Sequence, residues 1–177
     1  SGYHAGVSES NLLGRGEYLA VRYVDDVDRS GLQLAYFDRN LRGSRWQLGF
    51  VGSSNDDGER LALNLERPFY NLDARRARGF ELLHDDRARP LYAEGEEVAE
   101  FRHRENRVRA EIGGATGLVD GVTRRVRFGL HVESHEFELE PGEPAPARLA
   151  ADRRLAYPYV RVSSLEDRFM RTRNFDY

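Results

Sequence analysis

Apolar and polar residues alternate one for one along several stretches of this chain. Over residues 45–50, Trp46, Leu48 and Phe50 alternate with Arg45, Gln47 and Gly49; over 60–65, Leu61, Leu63 and Leu65 alternate with Arg60, Ala62 and Asn64. A period of two is the mark of a strand with one apolar and one polar face, because successive side chains point to opposite sides of a sheet. The polar run Ser53, Ser54, Asn55, Asp56, Asp57, Gly58 between them supplies a loop. The same reading finds a short strand at 3–7 and one at 18–24 with Leu19, Val21 and Tyr23 on one face and Arg22 on the other. A further strand carries Leu32, Leu34 and Tyr36. The most regular strand has Val126, Phe128, Leu130 and Val132 on one face, with Arg125, Arg127, His131 and Glu133 on the other. No amphipathic helix stands out, so the predicted class is all-β: one antiparallel up-and-down meander of about eight strands, forming one domain over 1–177.

The turns support a regular order. Asn11, Gly14 and Gly16 are residue types that tolerate a left-handed backbone. The run Asn11-Leu12-Leu13-Gly14 is echoed 29 residues later by Asn40-Leu41-Arg42-Gly43, and the turn around Pro68 lies one similar step further on. That spacing equals two strands and two connections, which places these three turns at one end of a meander and the loops at 25–30 and 53–58 at the other. Elsewhere the pattern is less clean. Arg75, Arg76 and Arg78 interrupt both faces of 73–84, where Gly79 disfavours a helix. Residues 84–97 are expected as a long polar loop. Over 98–114 the apolar phase switches from Ala99 and Phe101 to Val108, Ala110 and Ile112, which predicts a bulge or a turn at 103–106. The Pro-rich run 141–148 is a loop. Residues 157–162 and 169–175 are a final strand pair, or one strand interrupted at Glu166-Asp167.

Composition narrows the partners. The net charge of −3 supplies no global field for nucleic acid, every basic side chain is Arg, and the absence of Cys excludes disulfides and thiol chemistry. No run of eighteen apolar residues exists, and no charged then apolar leader opens the chain, so neither a membrane helix nor a signal peptide is expected. A membrane β-barrel is compatible with this polar average, since only alternate residues of such a wall meet lipid. No nucleotide-binding, serine-hydrolase or zinc-protease motif occurs. His131, Glu133 and His135 share a face on a strand, which allows a surface metal site; solvated side chains are the simpler reading. Asp25, Asp26 and Asp28, and Asp56 with Asp57, lack full calcium-loop spacing. No catalytic residue, cofactor or metal is therefore assigned.

The succession from Asn11-Leu12-Leu13-Gly14-Arg15-Gly16, through Asn40-Leu41-Arg42-Gly43-Ser44-Arg45, to Arg67-Pro68-Phe69-Tyr70 before Leu72-Asp73 resembles the opening strands of the bacterial surface antigen superfamily. These are outer-membrane β-barrels related to the barrel-assembly insertase, its translocation-and-assembly cousin and the two-partner secretion pores. The likeness is densest over 6–80, and residues 168–177 look like a later strand of that family. The family motif positions are Asn11, Gly14, Gly16, Asn40, Gly43, Arg67, Pro68, Phe69 and Tyr70. The chain departs from the family in showing no polypeptide-transport repeats and no late-loop motif, and in supplying half of a barrel of about sixteen strands.

The resemblance implies a segment of a larger transmembrane barrel in the bacterial outer membrane, serving protein assembly, insertion or polypeptide secretion. Its implied partners are outer-membrane lipid, substrate polypeptides and periplasmic domains of the parent protein. Leu19, Val21, Leu32, Leu34, Trp46, Leu48, Phe50, Leu61, Leu63, Leu65, Val126, Phe128, Leu130 and Val132 would then face lipid. Tyr23, Tyr36, Phe69 and Tyr70 would sit near the interfaces, and Arg22, Arg45, Arg60, Arg125, Arg127 and Glu133 would face the lumen. Two alternatives stand beside this: a soluble all-β binding module with an Arg-lined ligand face, and the barrel anchor of a fused lipase-like enzyme.

Overall fold

A computed structural model describes residues 2–25, 30–93, 95–142 and 149–167. Nine strands follow one another in space as they do in sequence, every neighbouring pair antiparallel. They are β1 (Tyr3–Leu12), β2 (Glu17–Asp25), β3 (Ser30–Asp38), β4 (Gln47–Asn55), β5 (Gly58–Arg67), β6 (Arg76–Ala93), β7 (Glu96–Ala115), β8 (Val122–Leu139) and β9 (Arg153–Glu166). The class is the all-β meander that the alternation predicts. Among the described residues β1 and β9 do not pair, so the sheet is open. No described helix is long and apolar enough to cross a membrane, which says nothing of crossing by strands.

The sequence echo is also a structural one. Gly14 N–H donates to Asn11 O at 2.9 Å and Gly43 N–H to Asn40 O at 2.6 Å. Leu13 and Gly14 both have positive φ, as do Arg42 and Gly43. A left-handed pair of this kind turns with the twist of the flanking strands, so it closes a hairpin without splaying it. Asp120-Gly121 makes a third such turn, between Val119 and Val122, whose backbones exchange two hydrogen bonds of 2.9 Å. At the opposite end, Asp56 ties the β4–β5 turn to β3. Its carboxylate accepts Ser30 N–H at 3.0 Å and Ser30 Oγ–H at 3.1 Å. The Ser30 backbone N–H, foremost among several hydrogen bonds, holds this carboxyl below the usual aspartate range. The contact is therefore expected to persist at and above the ordinary aspartate pKa and to fade as pH falls through the lower, folded-state midpoint. An NMR titration of the Asp56 carboxyl carbon checks this, with the shift lost in Ser30→Pro.

Two sequence expectations are corrected. Residues 84–97 are not a long loop: β6 runs on to Ala93 and β7 starts at Glu96. The charges that suggested a loop meet partners across the ladder, since Arg104 Nε lies 3.0 Å and Arg102 Nη1 3.1 Å from the Asp86 carboxylate. Residues 103–106 hold neither bulge nor turn. The β6–β7 register is unbroken from Arg76↔Gly114 to Leu91↔Ala99 and slips only between Leu91 and Tyr92. The phase switch is real but belongs to one straight strand, whose apolar residues change face between its two halves. The segment around Arg76 and Arg78, where Gly79 disfavours a helix, is strand. The last strand ends at Glu166, and the predicted strand at 169–175 lies outside the described residues.

Candidate functional site: an apolar band and an enclosed charged face

Register partners share a face of a sheet, so the ladders determine which side chains lie together. Val21 pairs with Leu34, Phe50 with Leu63, Leu63 with Leu82, Ala110 with Leu130 and Phe128 with Val160. All the lipid-side residues named above that lie in strands fall on this one face, and Trp46 immediately precedes Gln47 of β4. The ladders add members that sequence reading did not assign to the set. These include Val7 on β1, Phe80 and Leu82 on β6, Val108 and Ile112 on β7, and Val160 and Val162 on β9. Continuing the period of two into the flanking strands would have found them. The result is an apolar band from one edge of the sheet to the other, with nothing packed over it among the described residues. Ile112, Phe128 and Val162 are 63%, 57% and 71% exposed.

The band does not follow the register lines. The line through Val21 passes Leu34, Gly52 and Leu61, then His84, Asn106, Ser134 and Arg154. It thus starts mid-band on β2 and leaves the band by β6. On β8 the band is centred between Phe128 and Leu130, displaced by about five residues from Ser134 over six strands; at ~3.3 Å per residue and ~4.8 Å per strand the band is inclined by about 30°.

Burial is reversed on the other face. Asp85, His131 and His135 are buried, although each carries a titratable group. On β6–β9 this face is a net of ion pairs. Glu81 meets Arg109 at 3.1 Å, Asp85 meets Arg87 at 2.5 Å, and Glu111 is bound by Arg127. Glu133 accepts from His131 Nε2 at 2.9 Å and lies 3.7 Å from His135 Nε2. His103 Nε2 and His135 Nδ1 share a hydrogen bond of 3.1 Å, and the His103 ring lies flat against Phe137, with centroids 4.6 Å apart. Among the described residues no group of three or more His, Asp or Glu side chains is placed to hold a metal ion. Asp26 and Asp28 lie outside the described residues. On β2–β5 this face is quieter, lined by Ala20, Ala35, Val51 and Ala62, with Arg22 and Arg60 on the next row toward the loops.

Glycine shapes this face where large side chains must cross a strand. Tyr159 on β9 lies over Gly129 of β8 and donates its hydroxyl to Glu111 Oε2 on β7 at 2.9 Å. A Cβ at residue 129 would stand 2.3 Å from Tyr159 Cζ. Gly129→Ala is therefore expected to displace the ring, break the bond to Glu111 and cost about 1–3 kcal/mol. Denaturant titration checks this, and the loss should shrink in a Tyr159→Ala background.

Arg22, Arg60, Arg125, Arg127 and Glu133 lie on this charged face. Arg45 does not: it precedes β4 at the turn end, its guanidinium 3.7 Å above the exposed Tyr70 ring. Of the rings expected near the interfaces, Tyr23 and Tyr36 lie on the apolar face. Phe69 departs from that expectation. The Pro68 turn folds inward, so Phe69 is buried over Gly113 beneath Arg125 and Arg127, whose guanidinium carbons are 4.8 and 5.2 Å from its ring. The missing side chain at Gly113 makes that room, which local pattern could not reveal.

Comparison with protein-family models, with curated proteins and with solved structures finds no match for this chain.

Proposed function

We propose that this chain forms part of the wall of an outer-membrane β-barrel of the surface-antigen type, with a non-catalytic role in assembling, inserting or exporting polypeptides. The observation that carries the membrane reading is the reversal of burial: a continuous apolar band stands exposed or half-exposed while a carboxylate and imidazoles are buried, and the guanidinium groups paired with carboxylates half-buried, on the opposite face. A sheet folded for water would cover the first and expose the second. A barrel wall in lipid needs this arrangement, with the charged residues lining a wet interior. The diagonal course of the band supports the same reading, because strands of a membrane barrel cross the bilayer at about 35–45°.

The polypeptide-handling role rests on the resemblance of the turn motifs at Asn11, Asn40 and Arg67. In lipid the edges of β1 and β9, unpaired among the described residues, need hydrogen-bond partners, which further strands of a parent barrel would supply. A soluble binding module offering an Arg-lined face is less well supported, since Arg107, Arg109 and Arg127 are already engaged by carboxylates. When refolded with phosphatidylcholine vesicles, the chain is expected to float with the lipid on a density gradient and to resist alkaline extraction. Recovery as a stable β protein free of lipid would overturn the reading.

A further inference from the structure

The two borders of the apolar band differ in a way that the barrel reading does not require. Toward the loop end, the arginines on the band's face are neutralised. Arg102 meets Asp86 and Glu140, Arg104 meets Asp86 and Glu136, and Arg154 meets Glu136, all within 3.4 Å. Toward the turn end they are not. Arg67 on β5 stands directly opposite Arg78 on β6, and Arg76 follows on the same face one step further out. All three are exposed, and among the described residues none has a carboxylate partner. The described acidic residues of this face toward the same border stand on other strands: Glu9 on β1, Glu17 on β2, Asp38 on β3, which accepts Asn40 N–H at 2.8 Å, and Glu166 on β9.

Like charges set directly opposite across an antiparallel pair repel, so Arg67 against Arg78 is unfavourable unless an anion lies between them. The neighbours on either side show what kind of anion fits. Leu65 and Phe80 stand one step into the band, and Ile112, the partner of Arg78 on β7, is 63% exposed. Trp46 precedes Gln47, whose partner Glu66 is next to Arg67. A group that meets both arginines must therefore carry apolar chains alongside it. Guanidinium forks bind phosphate oxygens in pairs, and an indole ring favours the boundary between lipid tails and water.

We propose that the Arg67–Arg78 pair, with Arg76, binds the headgroup phosphate of an anionic phospholipid in the leaflet at the turn end of the sheet. Its acyl chains lie along Leu65, Phe80 and Ile112. The proposal rests on the membrane reading and adds a lipid class and a leaflet to it.

Trp46 is the single tryptophan of the chain and reports on this border. The test folds the chain into phosphatidylcholine vesicles containing a minor fraction of either brominated phosphatidylglycerol or brominated phosphatidylcholine, and measures quenching of Trp46. At equal fractions, brominated phosphatidylglycerol is expected to quench at least about twofold more strongly, because each arginine near the surface favours anionic lipid. Arg67→Gln with Arg78→Gln should remove the preference, Arg67→Lys with Arg78→Lys should retain most of it, and millimolar inorganic phosphate should leave it intact. Equal quenching by the two lipids in the native chain overturns the proposal while leaving the membrane reading standing. Absence of quenching by either lipid in a folded chain overturns the membrane reading itself. A preference that survives the glutamine pair overturns the assignment to these residues, and one erased by free phosphate overturns the choice of a lipid.

Discussion

Leu63→Arg is expected, on the proposed membrane reading, to lower the stability of the vesicle-folded chain by about 2–4 kcal/mol, the cost of placing a guanidinium near the bilayer midplane on the lipid face of a barrel. Leu63 is the central band residue of β5, between Phe50 on β4 and Leu82 on β6. From there a long side chain cannot easily reach water at either border. The matched substitution one residue on, Asn64→Arg, enters the opposite face beside Glu81 and is expected to cost little. Urea titration in vesicles of defined composition reads both. Equal, small effects at 63 and 64 would mean that both faces meet water, and the band would need another explanation.

Glu111→Ala is expected to be the most damaging single change on the charged face, at about 2–4 kcal/mol, because it leaves one enclosed cation and one phenol without their acceptor. Glu111 is bound by Arg127 on β8 and by Tyr159 on β9, so its carboxylate joins three strands. Removing it alone strands Arg127; removing both charges by Glu111→Ala with Arg127→Met should recover much of the loss, since an unpaired charge is worse than none. Denaturant titration of the two singles and the double checks this. Strict additivity would show that the pair contributes nothing as a pair.

These two residues illustrate what the sequence carried and what it did not. Leu63 was readable: alternation around it is local, and a period of two places Leu61, Leu63 and Leu65 on one side of a strand whatever the strand pairs with. The importance of Glu111 was not. It lies in a stretch where Arg and Glu alternate, and its role arises from Gly129 and Tyr159, eighteen and forty-eight residues away. The same reason explains why 84–97 reads as a loop. Asp86 is a strand residue because Arg102 and Arg104 come to it across the ladder, and a single-strand reading sees only an unpaired charge. Phe69 was legible as part of a turn motif, but its inward course depends on the room left by Gly113 on a different strand.

By itself, the sequence determined the class, the order of the first five strands and the two-faced character of the second to fifth, together with the left-handed turns of the 29-residue echo. Each of these is set by neighbours a few residues apart, through side-chain alternation and backbone sterics. Only the tertiary structure decided the length of β6, β7 and β8, which face is enclosed, the diagonal course of the apolar band and the arginines at its turn-end border that lack a carboxylate partner among the described residues. All of these depend on cross-strand register, which joins residues distant in the chain. A one-residue slip in it would send every side chain of a strand to the other face.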